Sequence, residues 1–458
     1  MINSPNIIFL LILFLSLTSY SLCIKFPMKK IEYKQINNIS NKLRNLNSSN
    51  FHSYDEFYNI MSIPLCLGIP KQCFNLVYDT GEMYLIVSNP AKTAMFTKFY
   101  NITSSQTSIS NTYYYTALQY RNGIMQLREV GDYVFFSDNK PSYLFNFLLT
   151  WNTTKSYNFE GILGLGYLYP ERDESESFDA RFSFIDYLKY NKLINKKLFG
   201  HEYYNRTHGS FYIDEIPYTM SDNYFKCKVE GFIPYLNKWH CKMRSLAFST
   251  GENFTEIHSS VAFSTGYTDI RGPYVEGLII FDSLMPYFDN KCEIIDNYND
   301  DYTYSKIICN NSLSFINIPD ILFNIQGFQL ILLKDDLFRL VEYNGEKKYI
   351  CKIIIDTRYN YWNLGEPILK NYNMVFDYDD KSVGFRENVN LIGESWFMTI
   401  VLTCLLFSIC CFGIWIYKNR RKLFMKNIKD EDIDKINRNE AFNEGKEMDS
   451  NYESFEEQ

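Results

Sequence analysis

Two short runs in this chain put potential chemistry at the end of an apolar strand. The first reads Leu76, Val77, Tyr78, Asp79, Thr80, Gly81, and the second Val261, Ala262, Phe263, Ser264, Thr265, Gly266. An apolar strand ending in Asp-Thr-Gly holds a carboxylate at a tight turn, where the threonine hydroxyl can bond the backbone and glycine lets a partner strand approach closely. A carboxylate fixed in that way is a candidate acid or base. Each run is followed far downstream by a second apolar run ending in glycine. These are Gly161, Ile162, Leu163, Gly164, Leu165, Gly166 after the first copy, and Trp362, Asn363, Leu364, Gly365 after the second. The chain thus carries a twofold internal echo, with a carboxyl in one copy and a hydroxyl in the other.

Elements able to position such turns are plentiful. From about residue 54 to 390 the sequence alternates short runs rich in Tyr, Phe, Val and Ile with Gly, Asn, Asp and Pro, the spacing of a mainly β protein. Phe74 to Tyr78, Tyr133 to Phe136, Ser210 to Ile213 and Met374 to Asp377 are examples, and Phe182 to Tyr190 is the clearest helical pattern. With 458 residues, 38 Tyr and 37 Phe, the chain has material for two packed lobes and an aromatic-lined cleft. The net charge of -7 is modest, and no basic stripe accompanies a nucleic-acid motif, which argues against a DNA or RNA partner.

The ends read differently. Residues 1–23 carry the apolar run Ile7 to Leu15 followed by small and polar residues, the pattern of a secretory signal peptide. Residues 24–50 form a basic block. Trp396 to Tyr417 is an uncharged apolar stretch long enough for a helix to cross a hydrocarbon core of about 30 Å. Glu394 precedes it and Lys418, Arg420, Arg421 and Lys422 follow it, so the positive-inside rule makes this a single-pass type I protein of the secretory system or cell surface. The tail, 418–458, turns acidic past Asp430 and is expected to be disordered.

Of the 11 cysteines, Cys404, Cys410 and Cys411 fall in the apolar stretch and Cys23 at the expected cleavage site. In an oxidising lumen the short spacings suggest pairing Cys66 with Cys73, Cys227 with Cys241, and Cys292 with Cys309. Cys351 is left over, or displaces one partner of the last pair. No CxxC or histidine cluster accompanies them, so no metal or other cofactor is expected. Sequons at Asn38, Asn47, Asn101, Asn152, Asn205, Asn253 and Asn310 agree with a secreted face.

From about residue 25 to 387 the chain resembles the pepsin-like aspartic peptidases. Lys29 and Lys30 look like part of that family's basic pro-segment, whose lysine occupies the cleft of the zymogen. Gly68, Pro70, Gln72 and Phe74 match its entering hairpin, and Tyr120, Gly123 and Asp132 its flap hairpin, with Tyr120 in the place of the flap tyrosine. Phe159 to Gly166 resembles the closing segment of the first lobe, and Phe323 to Phe328 with Trp362 to Phe385 those of the second. The resemblance implies a bilobal, mainly β acid-protease fold with an N-terminal lobe over 54–215 and a C-terminal lobe over 216–390, holding an extended polypeptide between them.

The family's reaction needs two carboxylates that share one proton, one donating to the substrate carbonyl while the other activates water. Here Ser264 stands in the place of the second aspartate, although Ala262, Thr265, Gly266, Thr268, Gly272 and Pro273 keep the surrounding pattern. A serine hydroxyl cannot serve as that base. Glu82 replaces a serine that would hydrogen-bond the first aspartate, and is expected either to repel Asp79 or to point outward. Leu127 replaces a flap glycine. Two acids could stand in for the lost carboxyl, but Asp356, after the apolar run Ile353 to Ile355, is followed by Thr357 and Arg358 where the pattern wants glycine and has too little chain left for a lobe, and Asp269 would have to reach back into the cleft from its loop. The expectation is a pseudopeptidase: Asp79 isolated, the cleft retained, hydrolysis lost. The alternatives are an aspartic-type endopeptidase of low or altered activity, or a structural or adhesive surface glycoprotein.

Overall fold

The computed structural model describes residues 24–30, 61–89, 98–120, 123–135, 143–153, 160–167, 183–204, 208–216, 224–229, 238–254, 259–299, 302–343, 345–388, 403–405 and 407–420. The chain divides into two compact units, 1–391 and 392–458.

The first unit is built on two large sheets. In chain order its strands are β1 (Ile24–Lys30), β2 (Met61–Leu67), β3 (Gln72–Asp79), β4 (Leu85–Val87), β5 (Ile109–Tyr120), β6 (Gly123–Phe135), β7 (Tyr143–Thr153), β8 (Gly161–Gly164), β9 (Leu198–Tyr203), β10 (His208–Ile213), β11 (Phe225–Lys228) and β12 (His240–Phe248). They continue as β13 (Asn253–Phe254), β14 (Ser260–Phe263), β15 (Ile270–Pro273), β16 (Cys292–Asn299), β17 (Tyr302–Asn310), β18 (Ile321–Ile325), β19 (Phe328–Leu332), β20 (Phe338–Tyr343), β21 (Glu346–Asp356), β22 (Trp362–Leu364), β23 (Tyr372–Asp377) and β24 (Ser382–Glu387). The first sheet has thirteen strands in the order β11-β24-β23-β9-β10-β1-β2-β3-β8-β4-β7-β6-β5. The second has eleven and runs β16-β17-β21-β15-β22-β14-β12-β18-β19, with β13 and β20 attached to β12 and β21.

The strands follow their sequences. β3 alternates at its start and becomes wholly buried from Leu76 to Asp79, where it lies between β2 and β8, and an uninterrupted apolar run is what a doubly covered strand requires. The helix Tyr274–Leu284 follows Pro273 and buries Gly277, Ile280, Phe281 and Leu284, a spacing that turns one face inward. The basic N-terminal segment is itself part of the first sheet. β1 pairs antiparallel with β10 from Ile24↔Ile213 to Lys29↔His208, burying Phe26 and Met28.

The sheets are joined by aromatic packing and by a covalent staple. Trp239 is fully buried and donates its Nε1–H to the Leu165 carbonyl at 2.9 Å, with Tyr167, Phe199, Phe376 and Tyr378 packed around it. Such aromatic pairs contribute about 0.5–1.5 kcal/mol each beyond the area they bury. The Cys227–Cys241 disulfide ties β11 of the first sheet to β12 of the second, while Cys66–Cys73 and Cys292–Cys309 each close a hairpin. The three expected bonds form, and Cys351 remains a buried thiol.

In the second unit, residues 403–405 and 407–420 are helical. Among the described residues no helix is long and apolar enough to cross a membrane.

Candidate active site

Each of the two turns sits at the end of a central strand. β3 delivers Asp79 beside parallel β8, in register Asp79↔Gly164, and β14 delivers Ser264 beside parallel β22, in register Phe263↔Leu364. The downstream apolar-glycine runs read in the sequence are therefore the strands against which the two turns are built.

Four hydrogen bonds through the two threonines lock one turn to the other. Thr80 N–H donates to Thr265 Oγ1 at 3.1 Å and Thr265 N–H to Thr80 Oγ1 at 3.1 Å. Thr80 Oγ1 in turn donates to the Phe263 carbonyl at 2.6 Å, and Thr265 Oγ1 to the Tyr78 carbonyl at 2.8 Å. Thr80 is fully enclosed and Thr265 nearly so. The twofold echo of the sequence is thus a reciprocal contact in space.

Asp79 and Ser264 face each other across the glycines. A Cβ on Gly81 would lie 2.3 Å from Ser264 Oγ and 3.2 Å from Asp79 Oδ1, and one on Gly266 would lie 2.1 Å from Asp79 Oδ2. Only glycine permits this approach. Asp79 Oδ1 accepts from Gly81 N–H at 2.7 Å and from Gly266 N–H at 3.3 Å. Ser264 donates its hydroxyl to Asn363 Oδ1 at 2.7 Å. Asn363 is fully buried on β22, and its Nδ2 has no hydrogen-bond partner.

Of the two expectations for Glu82 only the outward direction fails: it is 9% exposed, on the turn of Asp79, with Oε1 accepting from Met83 N–H at 2.8 Å, and it feels the like charge of Asp79. Burial pushes its carboxyl up to about 7, with the charge of Asp79 adding to the effect and the backbone N–H groups of Met83 and Tyr84 working against it. Lys238 is the nearby cation. It donates to the Tyr361 hydroxyl at 2.9 Å and lies against the Tyr267 and Tyr361 rings. Burial disfavours its ammonium, but the tyrosine hydroxyls and Asp79 outweigh that and hold its pKa above the ordinary lysine value. His240 packs edge-on against Tyr361, and burial together with Lys238 pushes its imidazole down to about 3.

The other acids considered from the sequence are committed elsewhere. Asp356 ends β21, two strands from β22, and accepts from Arg358 Nε at 3.0 and 3.1 Å. Asp269 is bound by Arg271 at 3.4 and 3.3 Å. Tyr120 pairs through its backbone with Gly123 at the tip of the β5–β6 hairpin, and its side chain lies outside the described residues. Leu127 is fully buried in that hairpin, opposite Thr116 and Thr150. Of the sequons, Asn101, Asn152 and Asn310 are exposed, Asn253 pairs through its backbone with Ala247, and Asn38, Asn47 and Asn205 lie outside the described residues.

Two participants were missed in the sequence. Asn363 had a usable signal, because a polar residue interrupts the second apolar-glycine run where the first has Ile162. Lys238 had none, since it meets Tyr361 from 123 residues away.

Comparison with known proteins agrees with this architecture. The model of the eukaryotic aspartyl protease family matches residues 61–388. Embryonic pepsinogen of Gallus gallus is 23% identical over 354 residues, covering 73% of this chain and 81% of the relative. Plasmepsin VII of Plasmodium berghei (strain Anka) is 24% identical over 374 residues, covering 72% and 73% respectively. Renin of Echis ocellatus is 22% identical over 368 residues, covering 76% and 84%. With both turns, their supporting strands and the matched span in agreement, the chain belongs to the eukaryotic aspartyl protease family.

Proposed function

We propose that this protein is a membrane-anchored member of the family that binds an extended polypeptide in its cleft and has lost the paired-aspartate hydrolysis of the family, a pseudopeptidase with respect to that reaction. The observation that carries the reading is the Ser264 hydroxyl, which is given to Asn363 Oδ1 at 2.7 Å. The paired reaction needs a proton shared between two carboxyls, and a serine whose proton is already donated to a carboxamide offers none to substrate. The cleft floor otherwise keeps its form, since the threonine contacts and Gly81 and Gly266 are intact.

The test is hydrolysis of a mixed peptide library by the full-length protein beside Asp79→Ala and Ser264→Asp. The parent is expected not to cleave and Ser264→Asp to cleave at least about 100-fold faster, the scale of a positioned acid or base, with Asp79→Ala added to Ser264→Asp abolishing that gain. A parent protein as fast as its Ser264→Asp variant sinks the reading, as does failure to bind any extended peptide. A second reading, an endopeptidase of altered activity, is favoured by one observation: Glu82 is buried on the turn of Asp79.

A further inference from the structure

Both turns are tied to one short segment of chain, Lys238-Trp239-His240, at the start of β12. The Trp239 carbonyl accepts from Phe263 N–H at 3.3 Å, one residue before Ser264. Its Nε1–H donates to the Leu165 carbonyl, and Leu165 N–H donates in turn to the Asp79 carbonyl at 2.9 Å. In the antiparallel pairing of β12 with β14, His240 faces Ala262 and Cys241 faces Val261, and the same register carried two residues further sets Lys238 opposite Ser264. A cation therefore stands across from the place where the paired-aspartate reaction needs its second carboxylate.

The surroundings of that cation hold it in place without neutralising it. Lys238 Nζ donates to the Tyr361 hydroxyl at 2.9 Å and lies over the rings of Tyr361 and Tyr267, 5.3 and 5.9 Å from their centroids. Tyr267 belongs to the Ser264 turn, which it closes by donating its N–H to the Ser264 carbonyl at 3.1 Å. The same ring carries the Arg271 guanidinium at 5.4 Å, but that cation is paired with Asp269. Among the described residues Lys238 has no such ion pair. An ammonium has three donors, and the Tyr361 hydroxyl takes one. Trp239 is fully buried and His240 nearly so, which makes Lys238 the partly exposed residue of the three. Asp79 offsets its charge only through space. A cation fixed by neutral groups in a largely dry setting gains more from a carboxylate than one already paired or fully in water.

We propose that Lys238 is a specificity-determining residue of the cleft, and that its ammonium takes a carboxylate of the bound polypeptide, so that the protein selects acidic segments. Tyr361 and Tyr267 aim the ammonium. A charge-assisted bond to it discriminates against the carboxamide of the same shape, which leaves the cation unpaired. The proposal rests on the polypeptide-binding reading above and names the chemistry that such a polypeptide carries. The carboxylate belongs either to an Asp or Glu side chain or to the C-terminus of the bound chain, and the experiment tells the two apart.

Fluorescent peptides of one extended sequence are made with Gln or Glu at each position in turn, all with amidated C-termini, and the Gln form is also made as the free acid. Their binding to the full-length protein in detergent micelles is read by anisotropy. The parent is expected to bind at least one carboxylate-bearing peptide about 10-fold or more tighter than the amidated Gln form, the scale of a hydrogen bond to a charged group. A preference tied to a Glu position assigns the carboxylate to a side chain, and a preference for the free acid assigns it to the chain end. Lys238→Gln, which keeps a donor for the Tyr361 hydroxyl, is expected to erase the preference, and Lys238→Arg to keep part of it. Lys238→Met is the second neutral variant if Lys238→Gln does not fold. Equal affinity of the parent for all forms, or a preference that persists in a neutral variant, overturns the role of Lys238 and leaves polypeptide binding standing. A parent that binds none of the peptides overturns both.

Discussion

Glu82 has a consequence for stability that is separate from any chemistry. Its carboxyl ordinarily titrates at 4.5 and is raised in the folded protein to about 7, chiefly by burial. Between those values the unfolded chain has released the proton and the folded chain still holds it, so folding stability falls as pH rises from 4.5 to 7 and is level above that. The full effect is on the order of 3 kcal/mol. His201 and His240 act in the opposite sense, since burial pushes both from 6.5 to about 3 and the folded state loses stability as pH falls through that range. Comparing variants cancels the histidines. The stability advantage of Glu82→Gln over the parent, read from urea midpoints, is expected to grow from pH 4.5 to 7 and then hold. A difference independent of pH would mean that the Glu82 side chain is hydrated. The substitution at this position was plain in the sequence because Asp79, Thr80 and Gly81 precede it. Its inward direction was not, because that depends on Gly166 and the turn of chain behind it.

Among the elements, the paired turns hold the two sheets in register at the cleft. Thr80→Val keeps the shape of the side chain and removes an acceptor for Thr265 N–H and a donor to the Phe263 carbonyl, leaving both backbone groups enclosed and unpaired. The expected loss is roughly 2–4 kcal/mol of unfolding free energy, from buried polar groups left without partners. A denaturant titration showing less than about 0.5 kcal/mol would mean that water replaces the hydroxyl. Element by element, runs that combine apolar residues with clear breaks were legible: Phe74 to Tyr78 lies inside β3, Met374 to Asp377 inside β23, and Phe182 to Tyr190 announced the helix Phe184–Tyr190. The helix Tyr274–Leu284 was not read. Its run Leu278 to Phe281 is continuously apolar, a pattern shared by a buried strand and a buried helix. Asn363 showed in the sequence as a polar break in an apolar run, but its partner did not, since the hydroxyl it accepts from lies 99 residues away.

For the whole molecule, the family match and the two sheets fix the fold, and the orientation across a membrane follows from the charge around Trp396 to Tyr417 as a proposal. In sealed vesicles, added protease should remove 418–458 and spare 24–395, and endoglycosidase should shift the mobility of the spared fragment. Cleavage within the β-rich region without detergent would reverse the proposed orientation. The family's motifs made the two-turn plan readable at this scale, because each motif is local. The closing of the first sheet was less visible: β23 pairs with β9, and β24 joins β11, through partners that no short window of sequence contains.

The Asn373 carboxamide meets Tyr203 N–H across 170 residues of chain, and β1 and β24 belong to the same sheet. During synthesis, then, β9 is made long before the strand that will cover it. Until residue 377 has emerged, a strand edge with unpaired N–H and C=O groups stands open to any neighbouring nascent chain. The protein therefore depends on late completion, and ribosomes that stop short of Tyr372 release a product whose hazard is aggregation.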